Sequence, residues 1–121
     1  MSVDDSRPIW IQLVETFSRN IVTGEWTAGS KIPSVRELAL ATGVNPNTIQ
    51  RALSQFDASG LTVAERTQGR FVTTDRALIN DTQQDLASQA TDAHIAAVSA
   101  LGLSLDETVT LIRERWASSS S

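Results

Sequence analysis

The run SVRELALATGVNPNTIQRAL, Ser34 to Leu53, contains two helix beginnings and one helix end. Ser34, with Glu37 three residues on, has the form of a capping box. The serine oxygen accepts from a backbone N–H of the first turn, and the glutamate reaches back to the cap. Val35, Leu38, Ala39 and Leu40 supply an apolar side, and Gly43 ends the helix after about two turns as a left-handed C-cap does. One valine later comes Asn45-Pro46, a good N-cap followed by a proline at the first helical position. Ile49, Ala52, Leu53 and Phe56 recur on one helix face up to Ser59, and Gly60 closes it. Two short helices joined by a tight glycine-containing turn form a helix-turn-helix.

Upstream, Ile9, Leu13, Val14, Phe17, Ile21 and Val22 predict a helix over Pro8–Thr23, with Gly24 just past its end. GEWTAGSKIP, two glycines and a proline, reads as a connection beneath which Trp26 plugs the core, a role open to Trp10 as well. Downstream, Leu61 and Val63, then Phe71 and Val72, predict two short strands joined by the polar tip RTQG. A helix-turn-helix followed by a hairpin is a winged helix. From Arg76 onward Ile79, Leu86, Ala90, Ala93, Ala97 and Leu101 fall near a heptad seam along a long helix closed by Gly102. Ser104 and Glu107 make a second capping box, and Leu105, Val109, Ile112 and Trp116 line the last helix.

The expected fold is therefore mainly α with a small β-hairpin. A winged helix-turn-helix domain (1–75) precedes a two-helix dimerisation element (76–117) and a disordered serine tail (118–121). The helix pair is too thin to own a core, so it must bury its apolar seam against the winged-helix domain or against a second copy, and a homodimer is the expectation.

The 121 residues allow one domain with a core and an appendage, which excludes most multi-domain enzymes. Forty per cent hydrophobic and 20% charged residues make an ordinary globular composition. The absence of cysteine removes disulfides, thiolate catalysis and thiolate-bound metals. MSVDDSRPIW carries acids where a secretory leader carries basic residues, and no run approaches the roughly 18 apolar residues of a membrane span. A cytoplasmic protein without a membrane partner is expected.

A net charge of −4 argues against a nucleic-acid partner until its distribution is read. Up to Arg76 eight basic residues balance eight acidic ones; beyond it Arg113 and Arg115 face Asp81, Asp85, Asp92, Asp106, Glu107 and Glu114. The acidity belongs to the C-terminal third, leaving the helix-turn-helix and wing slightly basic.

In a helix-turn-helix the second helix enters the major groove with its N-terminal residues at the base edges. The apolar face of Ile49 to Phe56 turns Asn47, Thr48 and Arg51 outward, with Gln50 near the edge. Asparagine and glutamine pair with adenine, threonine meets a thymine methyl, and arginine forks onto guanine or holds a phosphate. Asn45 and Pro46 have a sufficient local reason in starting the helix. Asn47 and Thr48 do not, since both are mediocre helix formers. Arg36 faces the positive end of a helix dipole, an unfavourable place that a DNA contact would offset. Arg66 and Arg70 flank the Gln68-Gly69 tip, as a minor-groove wing or as solubilising charges on an exposed hairpin. His94, the single histidine, lies beside the seam and reads as a solvated or interface residue sooner than a metal ligand. No phosphate loop, nucleophile-base pair or buried acid pair is present, so neither enzyme nor cofactor is expected. The competing reading is a winged helix used as a protein-interaction module, which the acidic total charge suits.

Residues Pro8 to Val72, through the proline-apolar-aromatic start, GSKIPSVRELA, VNPNTIQRAL and GRFV, resemble the N-terminal domain of the GntR family of bacterial transcription regulators. VNPNT and the short tail look like its YtrA-type subfamily. The resemblance implies a cytoplasmic homodimeric repressor on a double-stranded, palindromic operator, with DNA contacts at Arg36, Asn45, Asn47, Thr48, Arg51 and Gly69. Gln50, Gln68 and Arg70 complete the candidate set. Thr67 stands where many members have glycine, and Arg70 where threonine or an aromatic residue is common. A tail this short leaves little room for a small-molecule effector; one would bind at the dimer interface or not exist.

Overall fold

The computed structural model describes residues 6–120. The first five residues of the expected 1–75 domain and the last of the expected serine tail lie outside the described residues. The elements run α1 (Ile9–Val22), α2 (Val35–Thr42), α3 (Pro46–Ser59), β1 (Thr62–Glu65), β2 (Gly69–Val72), α4 (Arg76–Ala100) and α5 (Leu105–Ser119). The chain forms two compact units that meet in sequence at Gln83 and Gln84, inside α4.

In the first unit, the cap chemistry sets the helix ends. Ser34 and Glu37 complete their capping box, and Gly43 (φ +71°) turns the chain while its N–H donates to the Ala39 carbonyl. The Asn45 side chain accepts from Asn47 N–H ahead of Pro46. Leu13, Phe17 and Ile21 of α1 meet Leu38 of α2 and Ile49, Ala52, Leu53 and Phe56 of α3 in one core. Leu13, Ile49 and Leu53 are fully buried, and each such side chain contributes about 1.5–3 kcal/mol through removal from water. The Phe17 ring lies 5.1 Å from Trp26, which plugs the core beneath the first connection.

β1 and β2 pair antiparallel, Thr62 opposite Val72 and Glu65 opposite Gly69. The connection before α2 is more than a link. Ile32 N–H donates to the Arg70 carbonyl and Val72 N–H to the Ser30 carbonyl, both at 2.9 Å, so Ser30–Ile32 forms a short third edge beside β2. With Gly29 and Pro33 around it, the segment is too short to show alternation in the sequence.

The first turns of α4 belong to this unit. Asp75 Oδ1 accepts from Ala77 and Leu78 N–H and starts the helix. Ile79 is buried in the winged-helix core with Leu78 packed against it. This corrects the assignment of Ile79 to a dimer seam: its heptad spacing to Leu86 is real, but the core covers it first.

The second unit comprises α4 from Gln84 and α5, begun by the Ser104–Glu107 capping box. Val98 and Thr108 are its buried residues. Leu86 is half-buried, whereas Ala90, Ala93, Ala97, Ile95, Leu101, Leu105, Ile112 and Trp116 remain exposed. Helix α5 continues through Ser119, so Ser118 and Ser119 are helical instead of part of a disordered tail. No single helix among the described residues is long and apolar enough to cross a membrane.

Candidate nucleic-acid interface

Helix α3 is fixed in rotation by its buried face. Ile49, Ala52 and Leu53 have no exposed surface, and on a 3.6-residue period this leaves Asn47, Gln50 and Arg51 exposed, with Thr48 half-buried at the margin. The carbonyl oxygen of the Asn45 side chain is engaged by Asn47 N–H at 2.8 Å. Its amide nitrogen is the part left to face a partner. Gln50 Nε2 donates along the helix to Ser54 Oγ at 3.2 Å, and Ser54 Oγ donates to the Gln50 carbonyl at 2.9 Å, so Gln50 lies partly tethered on the outer face.

Arg51 is held from the side. Its guanidinium carbon sits 4.5 Å from the ring centroid of half-buried Trp10 on α1. A planar cation stacked on an indole keeps its N–H edge available while losing conformational freedom. Trp10 therefore supports a candidate contact residue instead of plugging the core. The only sequence signal for it was a large aromatic on an exposed helix start.

Arg36 occupies the first turn of α2 and is exposed, without a carboxylate partner among the described residues. It lines one shallow groove with Leu40, Val44 and Asn45, which brings α2 and the start of α3 onto a common surface. Glu37, the next residue, is committed to the cap: hydrogen bonds from Ser34 hold its carboxyl below the ordinary value.

The wing tip presents Arg66, Thr67 and Gln68 to solvent. Gly69 has φ +112°, a backbone region reserved for glycine, and a Cβ there would lie 2.6 Å from Lys31 Cε. Gly69 thus has two structural reasons to be glycine that need no contact with DNA. Lys31, absent from the sequence-based candidates, lines a second groove with Ser34 of the α2 cap, Gln68 and Gly69. Val35 borders both grooves, so the wing and the helix-turn-helix form adjoining surfaces.

Arg70 departs from its expected place. Its Nε and Nη2 reach the Asp57 carboxylate on α3, the closest contact being 2.9 Å, and the side chain is only 15% exposed. Thr62 Oγ1 donates to the same carboxylate at 2.6 Å. Burial alone would raise the Asp57 carboxyl, but the hydrogen bonds from Arg70 and Thr62 and the Arg70 charge hold it below its ordinary value. Arg70 is thereby engaged inward, away from the wing surface. His94 is half-buried on α4, and among the described residues no group of three His, Cys, Asp or Glu side chains could hold a metal ion.

Comparison with known proteins agrees with this architecture. The family described as "Bacterial regulatory proteins, gntR family" matches residues 12–72. The HTH-type transcriptional regulator YhcF of Bacillus subtilis is 33% identical over 84% of this chain and 84% of its own length. The HTH-type transcriptional repressor YtrA of the same organism is 33% identical over 55% of this chain and 52% of its own. A GntR family transcriptional regulator from Listeria monocytogenes superposes with a TM-score of 0.87 at 37% identity, covering 93% of this chain and 98% of that one. The DNA-binding domain of AraR, solved in complex with operator ORR3, superposes at 0.54 with 29% identity over 60% of this chain and 88% of that one. The chain belongs to the gntR family of bacterial regulatory proteins, whose members are transcription regulators and not enzymes.

Proposed function

From its membership of the gntR family, we propose that this chain is a cytoplasmic, sequence-specific DNA-binding repressor that works as a homodimer on a palindromic operator. The observation that carries the reading is α3. A fully buried inner face fixes its rotation and leaves Asn47, Gln50 and Arg51 pointing out of its first two turns. A helix held in this way enters the major groove, where Arg51 forks onto guanine or a phosphate and Asn47 and Gln50 address adenine. Thr48 and Asn45 stand at the margin of that contact, and Arg36 holds a phosphate beside it. Gln68 and Gly69 bring the wing to the neighbouring minor groove, with Arg66 as its charge. The operator complex of the AraR domain supports this docking, and the naming of YtrA as a repressor supports the direction of regulation.

The homodimer rests on the second unit. Leu101, Leu105 and Trp116 are each more than two-thirds exposed, Ala90, Ala93 and Ala97 are exposed as well, and Leu86 is half-buried. An apolar surface of this kind is covered most simply by the same surface on a second copy. Two copies related by a two-fold axis set their α3 helices about 34 Å, or a multiple of that, apart along the duplex.

The test is enrichment of duplexes from a random pool, followed by fluorescence anisotropy across a salt series with sedimentation in parallel. A regulator of this type enriches an inverted repeat and binds it as a dimer far more tightly than random DNA. Equal, weak binding to all duplexes, or affinity indifferent to salt, would refute the reading.

A further inference from the structure

The hairpin tip projects beyond the core, and of its two four-residue strands only Thr62 and Val72 are buried. Strands so short do not by themselves fix the angle at which a wing stands. At the base of this wing, however, side chains from three elements converge. Arg70 of β2 donates from Nε to Asp57 Oδ1 at 3.0 Å and Oδ2 at 3.2 Å, and from Nη2 to Oδ2 at 2.9 Å. Thr62 of β1 donates to Oδ1 at 2.6 Å. Asp57 itself belongs to α3, two turns beyond the residues aimed at the groove.

The geometry points to Asp57 as a positioning residue: it clamps both strands of the wing to the recognition helix, so that the major-groove and wing contacts are made in one fixed relation. This rests on the DNA-binding reading above and goes beyond it, since neither Asp57 nor Arg70 then needs to touch DNA. Three features carry the assignment. The arginine approach is a two-nitrogen fork, which a lysine could not reproduce. The pair is largely shielded, with side chains 15% and 30% exposed, so it is less screened than an open surface pair. The carboxylate ties two strands and a helix, so losing it releases the hairpin from α3 instead of one strand from another.

The clamp and a simple electrostatic role predict opposite signs. A carboxylate that merely lies near DNA repels phosphates, and removing it tightens binding. A carboxylate that holds the wing in register improves recognition, and removing it weakens binding. The full chain and its variants are titrated onto a duplex enriched by the wild-type chain and onto a scrambled duplex, at several salt concentrations. Amide hydrogen exchange of the DNA-free proteins is followed in parallel.

Asp57→Asn is expected to lose about tenfold on the enriched duplex, a typical size for breaking one networked contact, and to change little on the scrambled one. Arg70→Gln should behave alike, and the double variant should be no worse than either single. Exchange should quicken across the hairpin while the α1 and α3 core amides stay protected. Tighter binding of Asp57→Asn to both duplexes overturns the proposal. So does an Arg70→Gln loss equal on both duplexes with the salt slope reduced by about one, which would make Arg70 a phosphate contact. Unchanged hairpin exchange in both variants overturns it as well. If the wild-type chain enriches no duplex, the DNA-binding reading fails and the coupling fails with it, while exchange separately decides whether Asp57 holds the hairpin.

Discussion

Replacing Gly69 with alanine separates a structural demand for glycine from a DNA-binding one. Its φ of +112° lies where a side chain is strained, and the new Cβ would stand 2.6 Å from Lys31 Cε and 3.4 Å from Nζ. Backbone strain of this kind is worth about 1–3 kcal/mol. The stiffer unfolded chain that alanine brings offsets about 0.4–1 kcal/mol. Lys31 is the far end of a flexible side chain and yields at little further expense, so a net loss of about 1–2 kcal/mol follows. For a domain of this size, 1 kcal/mol moves the melting temperature by roughly 4–8 °C. Thermal unfolding without DNA should therefore fall by about 5–15 °C for Gly69→Ala. Lys31→Ala alone should have little effect, and adding it to Gly69→Ala should restore a minor part only. A Gly69→Ala protein that melts like the wild type yet binds its duplex poorly would refute the backbone argument and return Gly69 to the role of a close DNA contact.

Arg51→Ala and Arg36→Ala should each weaken operator binding by about 1–3 kcal/mol where the contact is to a base, and a loss equal on random DNA assigns that arginine to phosphate. Trp10→Leu should weaken the operator complex only while Arg51 is present; an equal loss in an Arg51→Ala background, read by the same anisotropy titration, would uncouple the pair. Leu86→Glu with Ala93→Glu should convert the dimer to monomers in sedimentation and reduce operator affinity; a variant that stays dimeric removes these residues from the interface. Because the Asp57 carboxyl is held below its ordinary value of 3.8 in the folded protein, its stabilisation is present above that pH and is lost as pH falls through the folded value. Urea unfolding should accordingly show the wild type ahead of Asp57→Asn at neutral pH, with the gap narrowing below about pH 4; a gap independent of pH would discount the ionised bridge.

The helix-turn-helix was legible because its signals are local. Ser34 with Glu37, Gly43, Asn45 with Pro46, and Gly60 each act within one turn of themselves, and the helix ends fall where those residues put them. Ser30–Ile32 is not legible in the same way, because its pairing to β2 is decided about forty residues downstream. The burial of Ile79 is hidden from the sequence for a related reason. Periodicity identifies an apolar face but not the surface that covers it, and Leu78 and Ile79 are covered by the winged-helix core. Further along that face Leu86 is half-buried and Ala90, Ala93, Ala97 and Leu101 are exposed in one chain, and this is the physical case for a second copy.

The arginines show the same limit at the candidate site. By type and spacing Arg36 and Arg51 suit a polyanion, and Arg70 suits either a polyanion or a solvated hairpin. What distinguishes them is the neighbour each one meets among the described residues: no carboxylate for Arg36, the Trp10 ring for Arg51, and the Asp57 carboxylate for Arg70. Only the first two leave the positive charge uncompensated and so available to DNA. The partner of Arg70 lies 13 residues earlier on another element, and the acidic residue on a recognition helix is intelligible only once that partner is known. A carboxylate is a poor choice beside phosphates unless its charge is neutralised, and Arg70 does this while tying the wing to α3. The departure from the common wing sequence at position 70 and the acid at position 57 thus account for each other.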